Sequence, residues 1–301
     1  MPNFSETETH VRNLFSSVEF IIFEGKKYFV IKTEKPRPNA GECKTDVYVK
    51  LSDEEGKCRE LKISVKQENA DFLENKIKYE RAKEIFGNDV DTILKNSISN
   101  IREIFEKQYL VLFDKYKRTE ARTVKLGWKF ELLNKPSGEL SGELELTTSQ
   151  LIDIYSGQNL PEEKKNAYVD GTVVKNSGVA NYILFIDESK NYTLDDILNR
   201  LLPIEKYVEM HPHIYYGCKA LNYRIDVDKW DGDRPLAVYV EWTLDKGLLS
   251  GNLVYDEPLK KKGNVIGENL RNILNSLNIT KNNFLDLKDI LNNDVKFFVK
   301  E

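Results

Sequence analysis

The chain is poor in the residues on which several common kinds of catalytic site depend. Its 301 residues include three histidines and three cysteines, and no two cysteines form a CxxC pair. A disulfide framework and a zinc ribbon are therefore disfavoured. Because histidines are few and no nucleophile elbow is present, nothing indicates a Ser/His/Asp triad. We interpret His211 and His213 as part of a surface loop and not as a metal clamp.

Long hydrophobic runs and a strong positive charge are also missing. The longest apolar runs are only a few residues, as at 182–186, far short of a membrane span. The polar, acidic start at 1–10 fits neither a secretory signal nor an Arg-rich transit peptide, so we expect a cytoplasmic protein of a microbial cell. The formal charge of −4, from 45 Lys+Arg against 49 Asp+Glu, argues against a non-specific nucleic-acid coat. A site-specific DNA enzyme whose basic groups cluster in one cleft remains compatible with this charge.

The residues that are present indicate a soluble globular chain of mixed class. Apolar residues make up 40% of the chain and charged residues 31%, both ordinary values for such proteins. The pattern is mostly helical over 71–113, with a break near Gly87, and changes near residue 116 to short strands separated by Gly and Asn turns. The sequence therefore predicts an α/β fold of the α+β type. We expect a core over 1–116 and a strand-rich region over 117–301, with helices at 148–156, 193–201, 264–277 and 284–293.

Two alternating segments, 45–51 and 60–66, flank a polar turn and predict a β-hairpin. Alternation places the apolar residues of both strands on one face, and on the other face it places Asp46, Tyr48, Lys50, Lys62, Ser64 and Lys66. A turn centred on Gly56 would set Asp46 opposite Lys66, and Tyr48 opposite Ser64. A carboxylate, a hydroxyl and an ammonium group then converge on one patch. Taken alone, this pattern also fits an ordinary amphipathic hairpin with a cross-strand ion pair.

The segment after the hairpin predicts a helix with an acidic residue on its apolar face. At about 100° per residue, Ala70, Leu73 and Ile77 form an apolar stripe, and Glu80 falls on it. A carboxylate that faces a core is costly unless it is paired or binds a cation. Glu84 lies on nearly the same stripe and is therefore a second candidate.

The tract Gly41-x-x-Lys44-Thr45-Asp46-Val47, followed by Ile63-Ser64-Val65-Lys66, resembles the core of the PD-(D/E)xK nuclease superfamily, particularly type II restriction endonucleases. Thr45-Asp46 looks like the "PD" position and Ser64-Val65-Lys66 like the "(D/E)xK" position, with Ser64 in place of the second acid. In a variant of these enzymes the missing acid is a glutamate on the next helix, about fourteen residues further on. Glu80 has this spacing from Lys66.

The resemblance implies a restriction-endonuclease-like core, with a mixed central sheet flanked by helices, and Mg²⁺-dependent, sequence-specific cleavage of double-stranded DNA. Asp46 and Glu80 would hold the Mg²⁺. Lys66 would orient or deprotonate the attacking water or stabilise the developing negative charge, and Ser64 would hydrogen-bond a metal-bound water. Alternative sources of the second carboxylate are Glu84, Glu19 and Glu24.

Candidate DNA contacts lie in the strand-rich region, interleaved with Tyr223 and Trp230. Asn and Arg read base edges and Lys and Arg hold phosphates, which makes candidates of Lys219, Asn222, Arg224, Lys229 and Arg234. An ordinary hairpin turn with solvated charges is the alternative interpretation. A weaker set that could follow the DNA backbone consists of Arg118, Arg122 and Lys125.

One active site cuts one strand, so the resemblance also implies a homodimer whose two-fold symmetry matches a palindromic site. A restriction enzyme would further require a DNA methyltransferase in the same system, although not as a stable partner. Two other hypotheses stay open at this point. One is a structure-specific repair or junction-resolving nuclease, and the other is a non-catalytic DNA-binding protein in which the hairpin is merely structural.

Overall fold

The computed structural model describes residues 4–68, 72–75, 77–187 and 189–300. The α-helices in these ranges are α1 (Phe4–Ser16), α2 (Tyr79–Phe86), α3 (Val90–Asn100), α4 (Arg102–Glu106), α5 (Thr148–Ser156), α6 (Glu162–Lys165), α7 (Leu194–Arg200), α8 (Ile204–Met210) and α9 (Gly263–Ser276). The strands are β1 (Phe20–Phe23), β2 (Lys26–Glu34), β3 (Val47–Ser52), β4 (Cys58–Gln67), β5 (Phe72–Glu74), β6 (Val111–Leu112), β7 (Thr123–Leu133), β8 (Ser141–Leu144), β9 (Tyr168–Val169), β10 (Thr172–Val173), β11 (Tyr182–Ile186), β12 (Leu202–Pro203), β13 (Ile214–Arg224), β14 (Lys229–Trp230), β15 (Val238–Asp245), β16 (Leu248–Val254) and β17 (Phe297–Phe298). None of the helices in the described ranges is long and apolar enough to cross a membrane.

The chain divides into two compact units, each built from two separate stretches of sequence. The first unit comprises Met1–Leu73 and Leu146–Pro212, and the second comprises Glu74–Glu145 and His213–Glu301. This division differs from the expected single boundary near residue 116. The physical reason is that β11, from the later stretch of the first unit, pairs with β4 from the earlier one. The mixture of helices and sheets confirms the predicted α+β class.

A six-stranded sheet with the order β1-β2-β3-β4-β11-β12 forms the centre of the first unit. Neighbouring strands are antiparallel except for β4 and β11, which run parallel. Parallel neighbours cannot be joined by a tight turn and need a long crossover connection. Here the connection spans residues 68–181 and includes the stretch Glu74–Glu145 of the second unit as well as α5 and α6. The sheet is therefore mixed.

Helices cover both faces of this sheet. On one face, the predicted apolar set is fully buried and packs against α1 and α7; it consists of Val47, Val49, Leu51, Leu61, Ile63 and Val65. On the other face, the ring of Phe185 from β11 lies 5.2 Å from that of Tyr207 on α8, and Tyr207 lies 5.1 Å from Tyr155 on α5. The predicted alternation of the hairpin is thus confirmed, because each face has its own hydrophobic layer.

Local sequence signals explain why some helices form where the pattern predicts them. Helix α5 begins after Thr147, whose side chain and that of Gln150 form a reciprocal capping box. It ends at Gly157, which has a φ of 71° that glycine adopts without strain. The prediction of a helix over 148–156 is therefore confirmed, together with its physical basis.

The predicted helix directly after the hairpin is wrong in its extent. Residues Phe72–Glu74 form β5, and the helix starts only at Tyr79. Ala70, which the predicted stripe requires, lies outside the described residues. Ile77 is buried but precedes the helix. The expected continuous apolar stripe consequently does not form.

The second unit is organised around an antiparallel sheet with the order β14-β13-β7-β15-β16. Strand β6 pairs with β7 and β17, and β8 pairs with β13. Helix α9 contacts β7, β13 and β15 and buries Leu270 and Leu274. The segment 284–293, predicted as an α-helix, contains a 3₁₀ helix over Phe284–Ile290 instead.

Candidate active site

Asp46 lies immediately before β3 and is fixed by hydrogen bonds to the neighbouring strand β4. Its backbone N–H donates to the carbonyl of Ile63 at 2.9 Å. Its carboxylate atom Oδ2 accepts the backbone N–H of Val65 at 2.8 Å. The carboxylate therefore reaches β4 between Ser64 and Lys66, where the sequence predicts the site.

The register of the hairpin differs by two residues from the prediction. Val47 pairs with Ile63, and Tyr48 pairs with Lys62. In this register Asp46 lies opposite Ser64 and not, as predicted, opposite Lys66. Asp53 explains the difference, because its Oδ1 accepts the N–H groups of Glu55 and Lys57 and centres the turn one residue earlier than Gly56. A shift of two residues preserves the faces, so Ser64 and Lys66 stay on the predicted face.

The electrostatic environment of Asp46 opposes its negative charge. Loss of water around the side chain raises the pKa of Asp46 to about 6, and the charge of Glu8 contributes in the same direction. The positive charge of Lys66 acts against this shift, as do the hydrogen bond from Val65 and the charge of Lys35. The protein thus leaves part of the negative charge of this carboxylate uncompensated, which is the condition that favours binding of a cation.

Two hydroxyl groups beside Asp46 are buried without hydrogen-bond partners. Ser64 is fully buried and Thr45 is 1% exposed. Neither Ser64 Oγ nor Thr45 Oγ1 has a hydrogen-bond partner among the described residues. Unsatisfied buried hydroxyls are rare and costly in folded proteins. Ser64, on the same strand face as Lys66, is therefore available to bond a water or ligand at the site.

A buried glutamate of α1 belongs to the same group, and sequence reasoning missed it. Glu8 is 6% exposed and forms an ion pair with Lys35. Its charge raises the pKa of Asp46, which lies 38 positions further along the chain. The available signal was the helical spacing of Glu8 to the buried residues Val11 and Phe15, which places it close to the apolar face of α1.

The structure places the predicted second carboxylate, Glu80, in the first turn of α2 in the second unit. Its side chain is exposed, so the expectation that it faces a core is wrong. Glu84 is half-buried and accepts a hydrogen bond from Arg81 at 3.3 Å. The reason for the error is that the helix begins only at Tyr79. A helical face counted from residue 70 at 100° per residue therefore does not apply to Glu80.

The other two alternatives lie along the sheet of the first unit. Glu24 occupies the β1–β2 turn and is held by Arg59 at 2.8 Å. That turn lies at the end of the sheet that carries the β3–β4 turn, whereas Asp46 lies at the opposite end of β3. Glu19 is exposed beside β1. Among the acidic residues considered, Glu8 is the one whose charge acts on Asp46.

Within the described ranges, no group of three or more His, Cys, Asp or Glu side chains could hold a metal ion. This does not conflict with a Mg²⁺ site, because Mg²⁺ keeps several waters and is usually bound through one or two carboxylates plus substrate phosphates. Asp46 and Glu8 would supply the two carboxylates.

Cys43 also lies close to Asp46 in the sequence. Its thiol donates a hydrogen bond to the carbonyl of Thr45 at 3.4 Å. Burial raises the pKa of Cys43 to about 11, so the side chain stays a neutral thiol at neutral pH.

The predicted DNA contacts all lie in the second unit, and two of them are already engaged within the protein. Asp231 accepts hydrogen bonds from the side chain of Asn222 at 3.0 Å and pairs with Arg224 at 2.9 Å. Lys219 and Lys229 are exposed, on β13 and β14. Arg234 is half-buried after β14. The two exposed lysines are therefore the members of the set available to phosphates without rearrangement.

Lys125, which the sequence suggested as a backbone contact, is unavailable on the surface. Its side chain is buried, with the ammonium group 5.3 Å from the centre of the Trp128 ring. Burial lowers the pKa of Lys125 to about 8, although the charge of Asp231 acts against the shift. That suggestion is corrected, because a strand residue inside the sheet of the second unit cannot reach a phosphate.

No protein-family model, no curated protein and no solved structure matches this chain.

Proposed function

We propose that the protein is a Mg²⁺-dependent, sequence-specific endonuclease that cleaves double-stranded DNA, as a type II restriction enzyme does. The observation that carries the proposal is the Asp46 carboxylate, which is held by β4, partly deprived of water and next to Lys66. A purely structural aspartate in such a position would be expected to have its charge fully compensated. Perturbed carboxylates of this kind are concentrated at functional sites.

The residues present suit Mg²⁺. Asp46 and Glu8 would hold the ion, with Glu80 as the alternative second ligand, and the free Ser64 hydroxyl would bond one of its waters. When bound, Mg²⁺ neutralises charge on the phosphoryl group and makes a bound water more acidic. Lys35, which forms an ion pair with Glu8, holds that carboxylate in position.

Lys66 supplies the remaining chemistry. It is half-buried on β4, and its charge already acts on the Asp46 carboxyl. In this position its ammonium group orients the attacking water or stabilises the negative charge that develops during phosphodiester hydrolysis. A lysine amine is well suited because its three donors rotate freely on a flexible stem.

The architecture of the first unit supports the proposal. Its sheet is mixed, with β4 and β11 parallel, and helices lie on both of its faces. The second unit supplies the exposed Lys219 and Lys229 as phosphate contacts. Asn222 and Arg224 would contact bases or phosphates after exchanging Asp231 for DNA, and Arg234 would be a further contact.

The test is digestion of a panel of unmodified phage and plasmid DNA by the purified protein, with Mg²⁺ or with EDTA. Asp46→Ala and Lys66→Ala are the test variants. The matched controls are Asp195→Ala, an exposed acid on α7, and Lys50→Ala, a half-buried lysine on the same sheet face. We expect discrete bands that require Mg²⁺, persist in both controls and vanish in both test variants.

Each other outcome identifies an alternative. Cleavage of branched or damaged DNA, with linear duplex left intact, would indicate a repair or junction-resolving nuclease. DNA binding without cleavage, unchanged in Asp46→Ala, would indicate a non-catalytic DNA-binding protein. Cleavage that survives in Asp46→Ala and Lys66→Ala would come from a contaminating nuclease and would contradict the proposed site.

A further inference from the structure

Two distant stretches of the second unit, 107–118 and 296–300, are held together by strand pairing. Strand β17 pairs in parallel with β6. Beyond the pair, the backbone N–H of Phe113 donates to the carbonyl of Phe298 at 2.9 Å. The side chains of both stretches therefore belong to one region of this unit, although nearly 180 residues separate them in the chain.

Three aromatic rings from these stretches contact one another. The ring of Tyr116 lies 5.1 Å from that of Tyr109 and 4.7 Å from that of Phe298, and the last two are 5.5 Å apart. We call these three residues the aromatic triad. Each is half-buried, so the rings hold one another in place while part of each stays open to solvent. Such a preformed group loses little conformational freedom when a planar ligand stacks on it.

Basic side chains surround the aromatic triad. The two stretches contain six basic residues and a single acidic one, Asp114, in a chain whose formal charge is −4. All six are exposed, and each lies within two positions of a triad residue along the chain; we call them the basic rim, and they are Lys107, Lys115, Lys117, Arg118, Lys296 and Lys300. A local excess of positive charge, opposite in sign to the charge of the whole chain, favours a polyanionic partner.

Most of the basic rim has no acidic partner. Among the residues that the structure describes, Lys117 is the one member in an ion pair, with Glu139 at 3.7 Å, and the two side chains are 65% and 68% exposed. Ion pairs as exposed as this contribute little. Lys296 donates to a backbone carbonyl at 2.7 Å, and Asp114 accepts the backbone N–H of Lys300 at 2.8 Å. The positive charge of the rim thus remains available to phosphate groups.

A tight turn presents two members of the rim beside a ring of the triad. Tyr116 and Thr119 exchange backbone hydrogen bonds at 3.1 and 2.9 Å, so Lys117 and Arg118 form the tip of the turn. Lys117 has a φ of 51°, which glycine and asparagine adopt with less strain than lysine does. Its ammonium group lies 5.4 Å from the centre of the Tyr116 ring. A ring and a positive charge are therefore offered together.

We propose that the aromatic triad and the basic rim bind unpaired nucleotides of single-stranded nucleic acid. Bases stack on the rings, and the phosphates lie against the ammonium and guanidinium groups. Unpaired nucleotides combine repeated negative charges with free planar rings, whereas the bases of a duplex are already stacked on their neighbours. A lipid surface is a poorer match, because rings half-buried against one another offer little apolar area for insertion.

This binding function goes beyond the proposed cleavage of double-stranded DNA. All of the residues involved belong to the second unit, and the inference uses none of the residues of the candidate active site. Its experiments contain EDTA and no Mg²⁺. Failure of the proposed nuclease function therefore leaves their outcome unaffected, and failure of these experiments leaves the nuclease function untouched.

The first experiment measures fluorescence anisotropy of labelled oligo(dT) and oligo(U), each of about 12 nucleotides, with the full chain at low salt. We expect the protein to bind unpaired nucleotides, and the comparison of the two oligomers identifies DNA or RNA as the preferred source. The control ligand has the same length and phosphates, but an abasic spacer replaces every nucleotide base. It should bind at least about tenfold more weakly, because it cannot stack on the rings.

Matched variants separate stacking from charge. Tyr116→Leu keeps an apolar side chain without the aromatic ring and should weaken binding about tenfold, whereas Tyr116→Phe should bind like the wild type. Lys115→Ala combined with Arg118→Ala should weaken binding and lower its salt dependence by roughly two phosphate contacts. Lys246→Ala combined with Lys261→Ala, at exposed positions of the same unit, should change neither quantity. Circular dichroism confirms that each variant is folded.

Four results would overturn the inference. The first is a wild type that binds neither oligonucleotide at low salt. The second is equal affinity for the abasic oligomer, or full affinity in Tyr116→Leu, since the rings would then take no part. The third is tighter binding of a duplex than of either single strand, which would identify a contact to the backbone of paired DNA. The fourth is binding to phosphatidylserine vesicles but not to oligonucleotides, which would identify a lipid surface as the partner.

Discussion

At the scale of single residues, the Asp46 carboxylate combines a fixed geometry with an unfavourable charge. The hydrogen bond from Val65 orients it, while loss of water and the charge of Glu8 raise its pKa. Its native pKa of about 6 exceeds that of an unfolded aspartate, about 3.9. The native state therefore binds the proton more tightly than the unfolded state. Asp46 stabilises the fold at low pH, and this contribution is lost as the pH rises through about 6.

The first prediction follows from the direction in which Asp46 changes stability with pH. Asp46→Asn should raise the free energy of unfolding at pH 8 by about 1–2 kcal/mol in EDTA, because the neutral amide avoids the cost of the charge. Below a pH of about 4 the wild-type group is neutral as well, so the difference should disappear. Urea denaturation of both proteins at the two pH values measures it. An equal difference at both would contradict the assigned environment.

The same side chain should make metal binding pH-dependent. Mg²⁺ requires the ionised carboxylate, so its affinity for the wild type should rise through pH 6 and then level off. Lys66→Met removes a charge that lowers the pKa of Asp46, so it should move this rise to higher pH. Isothermal titration with Mg²⁺ across the pH range would show the shift. Lys50→Met, which changes another half-buried lysine on the same sheet face, is the control.

Substitution of Glu8 and substitution of Glu80 should have different effects on cleavage, and the comparison identifies the second carboxylate of the site. Glu8→Gln should reduce Mg²⁺-dependent cleavage by about 10- to 100-fold, because it removes a charged group beside Asp46. Glu80→Gln, at an exposed position of the second unit, should leave cleavage close to that of the wild type. Single-turnover assays at saturating Mg²⁺ compare the two variants. The reverse result would restore the role that the resemblance gives to Glu80.

At the scale of elements, strand β7 contains a buried lysine that its sequence pattern does not reveal. Lys125 lies inside the sheet of the second unit, where burial lowers its pKa to about 8. The unfolded state therefore binds more protons than the native state between about pH 8 and the ordinary lysine pKa near 10.4, so stability rises with pH across that window. At neutral pH the buried charge is a cost to folding.

Lys125→Met should consequently stabilise the protein at pH 7, because methionine keeps the aliphatic stem and removes the charge. We expect a gain of about 1–3 kcal/mol that shrinks as the pH rises toward 10. Thermal and urea unfolding at pH 7 and pH 10 measure it, with Lys129→Met on the same strand as the comparison. A loss of stability at pH 7 would mean that the charge has a compensating partner.

The hairpin β3–β4 illustrates which part of an element local sequence controls. Alternation determines the faces, because a one-residue slip would expose the whole apolar set. The register depends on the turn, and the side chain of Asp53 centres it one residue before Gly56. Asp46 therefore lies beside Ser64 and Val65. The predicted cross-strand pair of Asp46 with Lys66 does not form, but the charge of Lys66 still acts on the Asp46 carboxyl.

At the scale of the whole molecule, the candidate chemistry and the candidate DNA contacts belong to different units. Asp46, Ser64, Lys66 and Glu8 are in the first unit, whereas Lys219 and Lys229 are in the second. If the proposed function holds, substitutions in the two units should affect different steps. Those in the first unit change the rate of cleavage, and those in the second change the affinity for DNA.

The corresponding prediction concerns the pair Lys219→Ala and Lys229→Ala. The double variant should bind DNA about tenfold more weakly and show a salt dependence smaller by roughly two phosphate contacts. Its single-turnover rate at saturating DNA should match the wild type. The control is a double alanine variant of two other exposed lysines of the same unit, Lys281 and Lys288. Fluorescence anisotropy over a salt series separates the two steps, and an unchanged affinity would exclude these residues as contacts.

The sequence by itself determined the mixed class, the faces of the hairpin and the placement of Asp46, at the start of β3, on the same face as Ser64 and Lys66 of β4. These features follow from alternation and from local caps such as that of Thr147, which depend on residues close together in the chain. Tertiary structure decided four other features. They are the pairing of β11 with β4, the effect of the Glu8 charge on Asp46, the burial of Lys125 and the exposure of the Glu80 side chain. Each of these depends on which distant segments pack together, and such packing leaves no periodic trace in the local sequence.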